Sequence, residues 1–220
     1  MDFDLKAALL LTFCQTMQMV ISSLLAAIII GGSIGLLLFL TSNTLFLKNR
    51  VINQIVGVII NITRSIPFLI LLVLMIPVSK AIVHTSIGPN AMVIPLAVAA
   101  IAFFGRLSEA SFSDVDNGGL QYAIASGTSK LSIVLKIVLP EALPSLIKNI
   151  TVTAVSLIGF SAMAGTVGGG GNGDLAIRYD YQRYEPEVMF ICVIVLVLLV
   201  QIFQIIGDSS AKQLGSLANA

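Results

Sequence analysis

The sequence predicts an all-α integral membrane protein of about five transmembrane helices, and three observations predict it. Of 220 residues, 57% are apolar and only 10% charged, with a mean hydropathy of +1.01; a soluble globular domain carries about 25% charged residues. The charges are also segregated, leaving charge-free runs at 7–47, 51–63, 65–79, 81–105, 149–173 and 188–207, of 41, 13, 15, 25, 25 and 20 residues. A helix crossing the hydrocarbon core needs roughly 20 such residues. Finally, the runs lack the period-two alternation of outer-membrane strands, and backbone in lipid must satisfy its own hydrogen bonds, which leaves helices. A net charge of +1 gives no long-range pull toward nucleic acid and excludes that partner.

In chain order, residues 1–16 form an N-terminal outer segment, and spans follow at 17–40, 58–79, 86–105, 149–168 and 188–207, with a cytoplasmic tail at 208–220. The acidic opening Met1-Asp2-Phe3-Asp4 differs from the basic start of a cleavable signal peptide, so the first span is expected to be retained. The second span holds Arg64. Asn53, Gly57, Asn61 and Arg64 recur at helical spacing opposite Ile52, Ile55, Ile59 and Ile62, so 51–64 is expected to approach along the inner surface and continue into the membrane. With an odd span count and the N-terminus outside, Lys48, Arg50, Arg64, Arg106, Lys130, Lys136, Lys148 and Lys212 lie inside, 8 of the 12 basic residues. Lys6, Lys80, Arg178 and Arg183 lie outside, so the positive-inside rule selects this orientation in the cell membrane.

The usual chemical groups are sparse. Cys14 and Cys192 fall in separate apolar segments, where thiols act as small hydrophobes. His84, the single histidine, has no metal-spaced neighbours, and neither metal nor catalytic residues are expected. Gly168, Gly170 and Gly173 formally satisfy G-x-G-x-x-G, yet no strand precedes them and no Gly-Lys-Ser/Thr follows, so the nucleotide reading fails. These glycines are expected to end the fourth span, or to let two subunits approach closely at an outer gate. Tyr179, Tyr181 and Tyr184 suit an outer headgroup belt, and Asp180, Arg183, Glu185 and Glu187 interleave with them. Arg106 and Glu109, at i and i+3, are spaced to pair as the third span ends.

The longest hydrophilic excursion, 106–148, carries the main functional signal. After the turn signal Asp116-Asn117-Gly118-Gly119, Leu120, Ala123 and Ile124 form one apolar patch. Gly127 is expected to break the helix, and Leu131, Val134, Leu135 and Val138 to form a second patch before Pro140 and Pro144 bend the chain. Two short helices hinged at a glycine make a lever able to receive force from a protein below the membrane.

Gly127 followed after nine residues by Ile137-Val138-Leu139-Pro140 resembles the cytoplasmic "EAA" signature of bacterial ABC importer permeases. Gln121 and Tyr122 stand where that family has Glu and Ala, and Ala123 keeps its type, so a charged hydrogen bond of the Glu becomes a neutral one. Asn61-Ile62-Thr63-Arg64-Ser65-Ile66-Pro67-Phe68, Met75-Ile76-Pro77, Thr85-Ser86-Ile87-Gly88, Leu139-Pro140-Glu141-Ala142-Leu143-Pro144 and Gly159-Phe160-Ser161-Ala162-Met163-Ala164-Gly165 narrow the resemblance to methionine importer permeases.

The resemblance implies an ABC type I importer permease fold over 17–207, with a coupling region at about 118–145. It implies a homodimer, two cytoplasmic ABC ATPase subunits that use ATP and Mg, and an extracytoplasmic substrate-binding lipoprotein. No cofactor is expected on this chain. Gln121, Tyr122, Ala123, Gly127, Ile137, Leu139 and Pro140 are then the ATPase-coupling residues. Polar or small residues inside apolar spans make Asn61, Arg64, Ser161 and Met163 the candidates for a translocation path or gate, with Met163 as a soft plug. Two other readings stay open: a permease for another small amino acid or a phosphonate-like solute, and a passive channel, since five spans do not by themselves demonstrate pumping.

Overall fold

The computed structural model describes residues 5–183 and 186–218, all of them in helices or short connections. Eight helices follow in order: α1 (Leu5–Ser42), α2 (Arg50–Ser65), α3 (Phe68–Val83), α4 (Pro89–Ser113), α5 (Asn117–Ala125), α6 (Lys130–Gly165), α7 (Gly171–Arg183) and α8 (Pro186–Ala218). Four of them, α1, α4, α6 and α8, contain segments long and apolar enough to cross a bilayer, and the bent pair α2 and α3 counts as a fifth when taken as one broken span. The all-helical architecture and the span count agree with the sequence.

The helices extend beyond the expected spans. Helix α1 begins at Leu5 rather than near 17, and α4 runs to Ser113 rather than 105. Residues 208–218 continue α8, where a tail was expected. Met1–Asp4, Tyr184 and Glu185 lie outside the described residues, as do the side chains at 180–186.

The second span is not one continuous helix. Asn49 caps α2 by accepting from the N–H groups of Val51 and Ile52 at 3.1 and 3.2 Å. The helix stops at Ser65 because Ile66 turns extended before Pro67, whose ring fixes φ and removes a donor. Helix α3 then leaves at 109° to α2. Of the polar stripe on α2, Asn53 packs inward, its Nδ2 donating to the Leu38 carbonyl at 2.9 Å and to Thr41 Oγ1 at 3.1 Å, while Asn61 and Arg64 are exposed. Ile52, Ile55, Ile59 and Ile62 are left exposed.

Helices α1, α4 and α6 form the central layer. A Cβ at Gly31 would meet the Ile101 carbonyl at 2.8 Å, and one at Gly35 the Gly105 carbonyl at 2.7 Å, so two small residues four apart let α1 and α4 touch backbone to backbone. Between α4 and α6, Asn149 Nδ2 donates to Ser111 Oγ at 2.8 Å and to the Leu107 carbonyl at 3.2 Å. Ser111 and Ser145 hydroxyls lie 2.9 Å apart in the same cluster. Such polar contacts between apolar helices contribute about 0.6 kcal/mol each in membranes.

At the other end α6 stops at Gly165, as the glycines predict, and α7 folds back against α1, α6 and α8. The close approaches here are made within the chain. A Cβ at Gly173 would fall on Ala162 and one at Gly165 on the Asp174 backbone. Tyr179 is not in a headgroup belt but buried with Leu175, Val188 and Cys192.

Candidate functional site

Two regions carry functional geometry: the α5 segment with the start of α6, and the elbow between α2 and α3.

Helix α5 is short and held at both ends. Asp116 caps it, accepting from Gly118 and Gly119 N–H at 3.2 and 2.9 Å. Those two N–H groups hold the Asp116 carboxyl below the usual carboxylate range. A depressed folded-state pKa means that the cap contributes fully above the unfolded value and is lost only as pH falls through the folded one. At its C-terminus, Gly127 takes φ +77°, its N–H bonds to the Ile124 carbonyl at 3.0 Å, and Thr128 N–H reaches back to Ala123 at 3.1 Å. That pairing is a Schellman end, and it requires the left-handed residue. The break expected at Gly127 is therefore present and has a specific geometry.

Leu120 is fully buried and Ala123 nearly so, anchoring α5 to the core. Tyr122 is 78% exposed, and Gln121 opens onto a cavity of about 420 Å³ beside Asn43, Thr44, Ser113 and Asn117. The segment is fastened to two other elements. Lys130 Nζ donates to the Phe46 carbonyl at 2.7 Å, in the α1–α2 connection, and Asp116 N–H donates to Glu141 Oε1 at 3.1 Å, on α6. Lys130 and Glu141 were not marked as coupling residues by sequence reasoning, since neither partner is a side chain. Lys130→Met is expected to weaken this junction by about 1 kcal/mol, read as faster amide exchange over residues 43–49; unaltered exchange would contradict the tether.

The second expected helix of the lever is not separate. Lys130 begins α6, capped by Ser129, and the helix runs unbroken through Pro140 and Pro144. Pro140 has no N–H to offer the carbonyl four residues back, and the preceding turn widens into a π segment, Val134–Val138, closed by Leu139 N–H on Val134. This widening also changes the register. Ile133, Val134 and Val138 are buried, whereas Leu131 and Leu135, expected in the same patch, are exposed with Leu139 and Leu143. Ile137 is half-buried and Pro140 exposed.

At the elbow, the Arg64 guanidinium stands 5.8 Å from the Phe103 ring centroid. Phe68 stacks on Phe160 at 4.4 Å and 14°. These side chains with Thr63 and Leu71 line a cavity of about 330 Å³. Asn61 is exposed nearby on α2, and its carbonyl accepts from Ser65 Oγ at 2.8 Å. Met163 is 49% exposed on α6, but Ser161 is 2% exposed and donates to the Ile158 carbonyl at 2.7 Å. Arg64 thus joins an aromatic cluster, Asn61 and Met163 face outward from their helices, and Ser161 is packed inside.

The glycine-rich turn is held by polar residues of α1. Gln15 Oε1 accepts from Gly171 N–H at 2.9 Å, Thr16 Oγ1 from Asn172 N–H at 3.0 Å, and Thr12 Oγ1 bonds Asn172 Oδ1 at 2.9 Å. The signal was available: Thr12, Gln15 and Thr16 share one face of an otherwise apolar run. Arg178 pairs with Asp174 on α7, which raises the guanidinium pKa further. Arg106 pairs with Glu109 at 2.5 Å, the i, i+3 contact its spacing predicts. Among the described residues no group of three or more His, Cys, Asp and Glu could hold a metal ion.

The chain is a multi-pass helical core that presents a short helix, α5, at one end. Residues 31–215 match the family described as the binding-protein-dependent transport system inner membrane component, and the chain belongs to that family. It is 43% identical over 212 residues to a probable D-methionine transport system permease protein, MetI, of Vibrio cholerae, covering 96% of this chain and 94% of that one. It is 42% identical over 172 residues to the methionine import system permease protein MetP of Bacillus subtilis, covering 78% of each. Among solved structures, a chain of the inward-facing MetNI methionine ABC transporter superposes with a TM-score of 0.94 at 37% identity, covering 97% of this chain and 99% of that one.

Proposed function

We propose that this chain is the permease subunit of an ATP-driven importer that moves methionine into the cell by alternating access. The observation that carries the reading is the α5 segment, in a chain that matches methionine permeases over nearly its whole length. It offers an exposed Tyr122 from a helix whose cap residue Asp116 is bonded to Glu141 of α6, while Lys130 at the start of α6 is bonded to the α1–α2 connection. In this reading two copies form the path, and two cytoplasmic ABC ATPases, using ATP and Mg, dock on α5. An extracytoplasmic binding lipoprotein delivers substrate to the other end. The uneven distribution of basic residues supports an outer N-terminus and an inner C-terminus. Gln121, Tyr122 and Ala123 with the Gly127 end form the docking element, and Ile137, Leu139 and Pro140 set the direction of α6 beside it. Asn61, Arg64 and Met163 line the path, and Ser161 packs behind it.

Reconstitution with the cognate ATPase and binding protein is expected to give ATP-dependent uptake of labelled D- or L-methionine above other amino acids. Ion conductance by this chain alone would support a channel instead, and preference for another amino acid or a phosphonate would move the substrate. A Tyr122→Cys variant is expected to crosslink to the ATPase in the assembled complex, and its failure to do so would remove the docking role of α5.

A further inference from the structure

The elbow brings a cation beside aromatic rings, with Arg64 over Phe103 and Phe68 stacked on Phe160. Arg64 sits beside Phe103, which lies two residues before the end of the charge-free run 81–105 on α4. Among the described residues no carboxylate pairs with it: the two ion pairs are Arg106 with Glu109 and Arg178 with Asp174. An Arg without a carboxylate partner presents a planar fork matched to a carboxylate. Phe68, Phe103 and Phe160 supply the aromatic part of the wall, and the cavity of about 330 Å³ falls in the size range of small-molecule sites. Polarisable thioethers make favourable contacts with aromatic rings.

The cavity also adjoins the exposed face of α6. Val152 and Met163 are exposed there with Ser156 partly so between them, and Phe160 lies on the flank of that face turned toward α3. On its other flank, Gly159 and Ala162 adjoin α8. The site therefore adjoins the exposed face of α6 that carries Val152, Ser156 and Met163.

From this geometry we infer that the α2–α3 elbow is a transient substrate subsite inside the permease, where Arg64 receives the carboxylate of a thioether amino acid and Phe68, Phe103 and Phe160 receive its side chain. The inference rests on the methionine reading and adds a binding place to it. It also ties affinity to conformation. Arg64 belongs to α2 and Phe68 to α3, with only Ile66 and Pro67 between the helices, so a rotation of α3 about the elbow moves Phe68 relative to Arg64 and breaks up the aromatic wall. A site divided across a joint binds one state more tightly than another, as directional release requires.

The test uses the full complex of this chain, its ATPase and its binding protein in proteoliposomes, with a photoreactive diazirine analogue of methionine as the probe. ATP-dependent methionine uptake by the unaltered complex is the control; without it the methionine reading fails, independently of the subsite. With uptake present, the label is expected on peptides containing Phe68, Phe103 or Phe160, to fall at least tenfold in Arg64→Gln, and to return to within about threefold in Arg64→Lys, as charge matching at one ligand group requires. Excess methionine is expected to compete the label away, and the same thioether lacking its carboxylate is not. Label confined to other segments, equal labelling in Arg64→Gln, or equal competition by the carboxylate-free compound would each overturn the subsite. Phe103→Leu keeps an apolar wall and guards against misfolding: its complex is expected to assemble at the normal yield with several-fold less label, and undiminished label would count against the aromatic contact.

Discussion

Gly127→Val is expected to abolish energised uptake while leaving the chain inserted in the membrane. A Cβ at this position meets nothing within 4 Å, so the penalty lies in the backbone rather than in crowding. Gly127 holds φ +77°, a region that costs an ordinary L-residue about 1–2 kcal/mol, and β-branching adds to that. Relief of the strain unwinds the Schellman end, frees the Ala123 and Ile124 carbonyls and redirects α5. Tyr122 then leaves the direction set by Asp116 and Lys130. The ratio of methionine uptake to ATP hydrolysis in the reconstituted complex is expected to fall at least tenfold, reflecting about 1.4 kcal/mol or more of lost docking alignment. Gly127→Asn is the informative partner, because Asn tolerates the left-handed region, and it is expected to keep most of the coupling. Equal uptake in the Val and wild-type proteins, or equal loss in Val and Asn, would show that the left-handed geometry is not what matters.

Gly173→Ala is expected to have the largest effect on stability. The added Cβ would fall on the Ala162 carbonyl, Cα and carbonyl carbon together, all backbone of α6, which no side-chain rotation can clear. Overpacking of this kind costs about 1–3 kcal/mol where the structure can shift, and more where it cannot. Helix α7 is held on its other side by α1 and has little room to retreat. The midpoint of thermal unfolding in detergent is expected to drop by several degrees. Gly57→Ala, where the new methyl meets nothing within 4 Å, is expected to leave the midpoint unchanged or raised through helix propensity. Coincident midpoints for Gly173→Ala and wild type would show that α6 and α7 are looser than their packing indicates.

The span count was legible because a charge-free run of lipid-crossing length has few alternatives. The elbow was less so, although Ser65-Ile66-Pro67 carried the signal: the apolar character continues across it, and hydropathy does not register a change of direction. Asn53 shows the same limit, since a polar stripe on α2 marks either a path or a helix contact, and its bonds to Leu38 and Thr41 make it the latter. The leucine patch at 131 and 135 failed for a different reason. A regular 3.6 period places Leu131, Val134, Leu135 and Val138 on one face, and the π segment Val134–Val138 that precedes Pro140 breaks that period. The Arg64 cavity needed three helices brought together; Phe68 and Phe160 stand in recognisable motifs, but Phe103 carries no local mark.

The bonds from Gln15 and Thr16 to Gly171 and Asn172 join residues 156 positions apart. During synthesis the first helix enters the bilayer long before its partners exist. Its amide and hydroxyl groups must be satisfied meanwhile by their own helix, by water or by the insertion machinery, as Thr12 does toward Ala8 and Leu9. Closure of the glycine-rich end is therefore a late event in biogenesis, and the nascent chain carries an unfinished polar seam until its last third emerges.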